Sequence, residues 1–228
     1  MQQGFPRLGR VTSALDSVLD TASRTLRVLD VTDLMMRASF DAVAQLGFHH
    51  DFGMVPAILL PGTAPPNRVM HAFEEMMHEV PKRAANPFPA VPLPAHTLGG
   101  LLLSLADPAD PGRPLPRARL LAELSNLFVA GADTTGHTMS WALYLVSLHP
   151  EVEARLVAEL TELGLAGPAA RPVEFQDLGR LRYLGAVVKE TLRIMPVSAE
   201  GTAVTMDKDV DVCGYTIPAG TLIWCGQL

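Results

Sequence analysis

Asp133, Thr134 and Thr135 interrupt a long stretch whose apolar residues otherwise recur at helical spacing, from about Leu115 to Leu148. An acid and two hydroxyls are unfavourable in a helix that buries itself. Ala130 and Gly131 precede them, and such small residues let a flat group approach the backbone. An alcohol beside an acid in a mostly apolar cavity suits proton delivery to a bound oxygen species. The alternative is an exposed Asp133 with Thr134 satisfying a helix carbonyl. Gly131 disfavours a helix interior by about 1 kcal/mol relative to alanine. With Asp133 and Thr134 it predicts a local kink or a widened turn that presents both groups to a cavity.

Glu190 and Arg193 lie three apart, on one face of a second helix. Leu184, Val187, Val188, Leu192 and Ile194 surround them, so the helix is expected to be largely buried and the pair to fix geometry. The competing reading is an exposed pair of little energetic weight. A third cluster, His71, Glu74, Glu75 and His78, falls on one face of a short helix. Glu75-Met-Met-His78 has the spacing of a di-iron ligand pair, but the required second pair is absent, so a solvated polar face is expected and no metal site is assigned. His137 follows Asp133 by four and can pair with it.

The elements that must position these residues are mostly helices. Apolar spacing marks one over 11–28 and another over 31–46, capped by Asp30 and ended by Gly47. Thirteen of the chain's 19 prolines fall between 56 and 116, which predicts loop with short helices near 67–79 and 96–105. The long helix over 115–148 stops at His149-Pro150. Helices over 151–163 and about 180–195 follow, separated by a Gly-Pro turn at 164–172. After Pro196 the period changes to that of short strands, with a turn at Cys213-Gly214.

Bulk properties narrow the classes. With 48% hydrophobic and 18% charged residues over 228 positions, the chain is globular rather than disordered. A net charge of −6 without a basic face disfavours nucleic acid. No apolar run is long enough for a transmembrane segment, and 1–10 lacks a signal peptide's apolar core. Two cysteines exclude a disulfide framework, so a soluble, reducing compartment is the default expectation.

Four motifs come in fixed order: Gly-Ala-Asp-Thr-Thr at 131–135, Leu-His-Pro-Glu at 148–151, the run from Leu178 to Arg193, and Gly-Tyr-Thr-Ile-Pro-Ala-Gly-Thr at 214–221. Over 117–224 this closely resembles the C-terminal half of the cytochrome P-450 haem-thiolate monooxygenases. Val31-Thr32-Asp33-Leu34 through Phe52, and Asn86-Pro87, are similar to upstream family segments, less specifically. The resemblance implies a mainly α fold with a small β component, a single partial cytochrome P-450 domain over 1–228. Within it, 11–55 would be N-terminal helices, 56–116 a Pro-rich access-loop region, 117–195 the distal-type and Glu-x-x-Arg helices, and 196–228 a β-hairpin tail.

It further implies haem with its iron, an apolar organic substrate, dioxygen and an external electron-donor reductase. Ala130 and Gly131 would lie close to the porphyrin, Asp133 and Thr134 would relay protons toward dioxygen, and Glu190 with Arg193 would be a structural ion pair. Relatives are often membrane-associated, and the resemblance does not fix a location for this chain.

The chain also departs from the family. The thiolate ligand sits in a Phe-x-x-Gly-x-x-x-Cys-x-Gly loop that these 228 residues do not contain. Cys225-Gly226 lacks the preceding Phe and Gly, and Cys213 lies in a turn. Val204 stands where an arginine usually meets a haem propionate, and the aromatic-Pro-Glu-Arg-Phe segment is missing. The expectation is therefore a monooxygenase by resemblance that is inactive as this chain. The alternative is a non-catalytic fragment or helical interaction protein that binds no haem.

Overall fold

A computed structural model describes residues 5–60, 100–101, 104–107, 110–199 and 201–226. The expected metal-type cluster at 71–78 and the expected helix at 67–79 lie outside the described residues. Of the helix expected near 96–105, Gly100, Leu101 and Ser104 are described and are helical. The architecture is mainly α with a small β component, as the sequence predicts.

Six α-helices are described: α1 (Phe5–Thr25), α2 (Val31–Phe48), α3 (Met54–Ala57), α4 (Arg117–Leu148), α5 (Pro150–Glu162) and α6 (Arg182–Ile194). Six strands form three antiparallel pairs: β1 (Ala106–Asp107) with β2 (Asp110–Pro114), β3 (Thr202–Thr205) with β6 (Leu222–Cys225), and β4 (Val210–Val212) with β5 (Tyr215–Ile217). A short 3₁₀ turn spans Phe175–Gly179. The chain divides into two compact units, 1–140 with 172–178, and 141–171 with 179–228.

In the first unit α2 is the hub. Asp30 caps it, its carboxylate accepting from the backbone N–H groups of Thr32 and Asp33. The expected stop at Gly47 is one residue early. The helix continues to Phe48 and closes on His49, which takes the left-handed conformation at φ 55°. One face of α2 meets α1 through Val11, Val18, Leu34, Met35 and Ala38, with Val55 and Ile58 completing that cluster. Another face meets α4, where Leu120, Leu124, Phe128 and Ala132 form an i, i+4 ladder against Phe40, Ala44 and Phe48. Phe128 is fully buried, stacks on Phe48 at 4.9 Å and tilts against Phe40 at 5.3 Å. The β1–β2 hairpin was not foreseen in the proline-rich stretch. A two-stranded ribbon tolerates proline where an N–H points away from its partner strand.

The second unit is built from locally legible elements. Pro150 occupies the first position of α5, where its missing N–H costs nothing. Glu159 on α5 reaches the start of α6, accepting from the N–H groups of Tyr183 at 2.6 Å and Leu184 at 3.0 Å. Those amides are orphan donors of a helix N-terminus, and they hold the Glu159 carboxyl below its ordinary range. Arg155 adds its guanidinium over the Tyr183 ring at 4.2 Å. Between β4 and β5, Cys213 and Gly214 both carry positive φ, 52° and 86°, as a two-residue hairpin turn requires.

Candidate functional site

The helix that carries Asp133 and Thr134 runs for 32 residues as α-helix, without the expected widened turn. Local hydroxyl chemistry explains why. Thr134 Oγ1 donates to the Ala130 carbonyl at 2.5 Å, Thr138 Oγ1 to the Thr134 carbonyl at 2.8 Å, and Ser140 Oγ to the Gly136 carbonyl at 2.9 Å. Each polar side chain is satisfied on its own helix one turn back, so the backbone ladder need not open.

The two glycines on this helix have a visible structural purpose. A Cβ on Gly131 would come 3.2 Å from a Val43 methyl, and one on Gly136 would lie 3.0 Å from the Met36 Cα. Both provide clearance for the crossing of α2 and α4, and the Ser39 hydroxyl donates to the Gly131 carbonyl at 3.4 Å across it. Ala130, one residue earlier, is exposed. Asp133 is more than half exposed, at 57%. Its carboxylate lies 3.5 Å from His137 Nδ1, which also sits 2.9 Å from the Asp133 backbone carbonyl. Ala130, Asp133, Thr134 and His137 thus share one open helix face: a small residue, a carboxylate, a hydroxyl and an imidazole within two turns.

Glu190 and Arg193 form their pair bidentately, Arg193 Nε to Oε2 at 2.8 Å and the second guanidinium nitrogen to Oε1 at 2.5 Å. The bond lowers the Glu190 carboxyl and raises the Arg193 guanidinium. The expected burial of this pair is corrected by the structure, which leaves the side chains 55% and 67% exposed. The apolar positions of α6 fall on one face of an amphipathic helix, yet only Thr191 among its residues is buried.

Two functional-looking groups escaped the sequence reading. Asp41 is buried beneath α3 and accepts from the Met54 and Val55 amides, and burial pushes its carboxyl up. The signal was present as an acid between the apolar positions Ala38 and Ala42. Glue between α5 and α6 through Glu159 left no such periodic trace.

A family model, cytochrome P450 by description, matches residues 94–225, more than half of the chain. The chain belongs to the cytochrome P-450 family. Human mitochondrial 25-hydroxyvitamin D-1 alpha hydroxylase is 43% identical over 109 residues, covering 48% of this chain and 21% of that protein. Cytochrome P-450 4V2 of Rattus norvegicus is 37% identical over 134 residues, 57% of this chain and 25% of that one. Cyclooctat-9-en-7-ol 5-monooxygenase of Streptomyces melanosporofaciens is 37% identical over 127 residues, 55% and 27%. The chain therefore spans about a quarter or less of two of these curated relatives and 27% of the third.

Among solved structures, a cytochrome P-450 named CYP102L1 matches with a TM-score of 0.72 at 20% identity, covering all of this chain and 58% of that one. The haem domain of cytochrome P-450DA matches at 0.74 and 23% identity, covering 98% and 51%. These likenesses establish the fold, a partial cytochrome P-450 fold.

Haem is the cofactor this family implies, and the residues present fit only one side of it. The open face around Ala130 suits a flat apolar group with a hydroxyl and an acid at its edge. The thiol side does not fit. Cys213 sits in a hairpin turn, Cys225 on strand β6, and both are exposed. Among the described residues no group of three His, Cys, Asp or Glu could hold a metal ion. Nor is any described helix long and apolar enough to cross a membrane.

Proposed function

We propose that this chain supplies the distal wall of a haem-dependent monooxygenase, with Ala130 as the haem-facing surface, Gly131 seating the helix behind it, and Asp133 and Thr134 as the proton relay. The observation that carries this reading is the placement of a carboxylate and a hydroxyl beside exposed Ala130, on a helix within the family match. Haem, when bound in such an enzyme, supplies dioxygen activation with two electrons from an external reductase, and one oxygen atom enters an apolar organic substrate.

The protein's own groups have separable tasks. Thr134 Oγ1 donates to the Ala130 carbonyl, which leaves its lone pairs free to accept, and its hydroxyl turns from that carbonyl when it passes a proton on. Asp133 is open to solvent on the same face and can take up a proton and return it. His137 beside it restricts where that carboxylate swings. Glu190 and Arg193 act as scaffold, fixing a guanidinium on α6 rather than entering the chemistry.

The same reading gives neither Cys213 nor Cys225 a role in holding iron, so these 228 residues alone would not perform the reaction. Exposure of both thiols on the tail hairpins favours, as a second reading, a polypeptide that binds no haem and acts through its helical surface. Haem titration of the purified chain, followed by the spectrum of the reduced carbon-monoxide complex, tests both. Weak uptake that Ala130→Trp abolishes, without a thiolate-type band, supports the distal-wall reading. Uptake that Ala130→Trp leaves unchanged, or no uptake at all, overturns it in favour of the second reading. A thiolate-type band means Cys213 or Cys225 ligates iron and the ligand assignment is wrong.

A further inference from the structure

We draw no further inference here: the strongest candidate, the apolar groove that Leu145, Val146, Val152, Val187 and Ile194 line between the end of α4, α5 and α6, carries nothing because nothing in the structure shows what covers it.

Discussion

The two compact units solve the same problem differently. In the first, α1, α2 and α4 bury two apolar clusters, and even its charged residues Arg37 and Asp41 are drawn inside and satisfied. In the second, Leu181 and Thr191 are the only buried residues among those described, while Leu192, Val204 and Trp224 stay open. Its order rests on the proline at the start of α5, the Glu159 bridge and the Cys213-Gly214 turn. Packing therefore specifies the first unit, and hydrogen-bonded local devices specify the second. The difference teaches where substitutions should hurt.

The largest contrast should come from deleting side chains of similar character in each unit. Phe128→Ala removes a fully buried ring from the three-aromatic stack and should cost about 3–5 kcal/mol. Leu192→Ala, at a residue already 38% exposed, should cost less than about 1 kcal/mol. Amide exchange read separately in α2 and α6 is the right measure, since one melting curve need not describe two units. Equal losses at both positions would break the comparison, because α6 would then be covered in solution.

The local devices of both units were legible in the sequence, though the division into two units was not, and the residues show why. Asp30, Pro150 and Cys213-Gly214 announce themselves because caps, first-turn prolines and hairpin turns depend on a handful of neighbouring residues. Asp133 and Thr134 were conspicuous because polar groups broke an apolar period. What could not be read is non-local. Gly131 and Gly136 look like breaks in a helix until Val43 and Met36 are seen opposite them. The exposure of Glu190 and Arg193 depends on how many neighbours α6 has, which its own amphipathic pattern does not count. The β1–β2 hairpin was hidden by prolines at 108, 111 and 114, read as loop.

Glycine substitutions sharpen the contrast at a smaller scale and with opposite signs. Gly136→Ala places a methyl 3.0 Å from the Met36 backbone, so the crossing of α2 and α4 must shift, at about 1–3 kcal/mol. Gly185→Ala, inside α6 with open space where its Cβ would stand, should stabilise by up to about 1 kcal/mol through helix propensity. Chemical denaturation of the two variants checks both signs. A stabilising Gly136→Ala would mean the helices are not in close contact there.

Acid should separate the units as well. Glu159 is held below its ordinary value of 4.5 by the Tyr183 and Leu184 amides, so its contribution is present above that value and lost as pH falls through the lower, folded one. Asp41 runs the other way. Burial raises it above 3.8, so its favourable contribution is full below 3.8 and lost as pH rises through the folded value. Between neutral pH and the acid range, protection of the Tyr183 and Leu184 amides should fade while that of Met54 and Val55 holds. Glu159→Gln should flatten the first profile. Parallel loss at both sites would show that Glu159 is not what docks α6.

The smallest effect belongs to the pair that looks most deliberate in the sequence. Glu190 and Arg193 are joined by two short bonds, yet both side chains sit mostly in water, where an ion pair gains little over hydration and salt screens what remains. A double-mutant cycle of Glu190→Gln and Arg193→Gln should give a coupling below the effect of either glycine substitution, shrinking further in high salt. Glu190 is lowered by Arg193, so whatever coupling exists should vanish as pH falls through its depressed value. A large, salt-insensitive coupling would mean that water has been excluded from this face. The second unit would then owe its order to a covering surface as the first does, and the pair would be the buried scaffold that its helix pattern suggested.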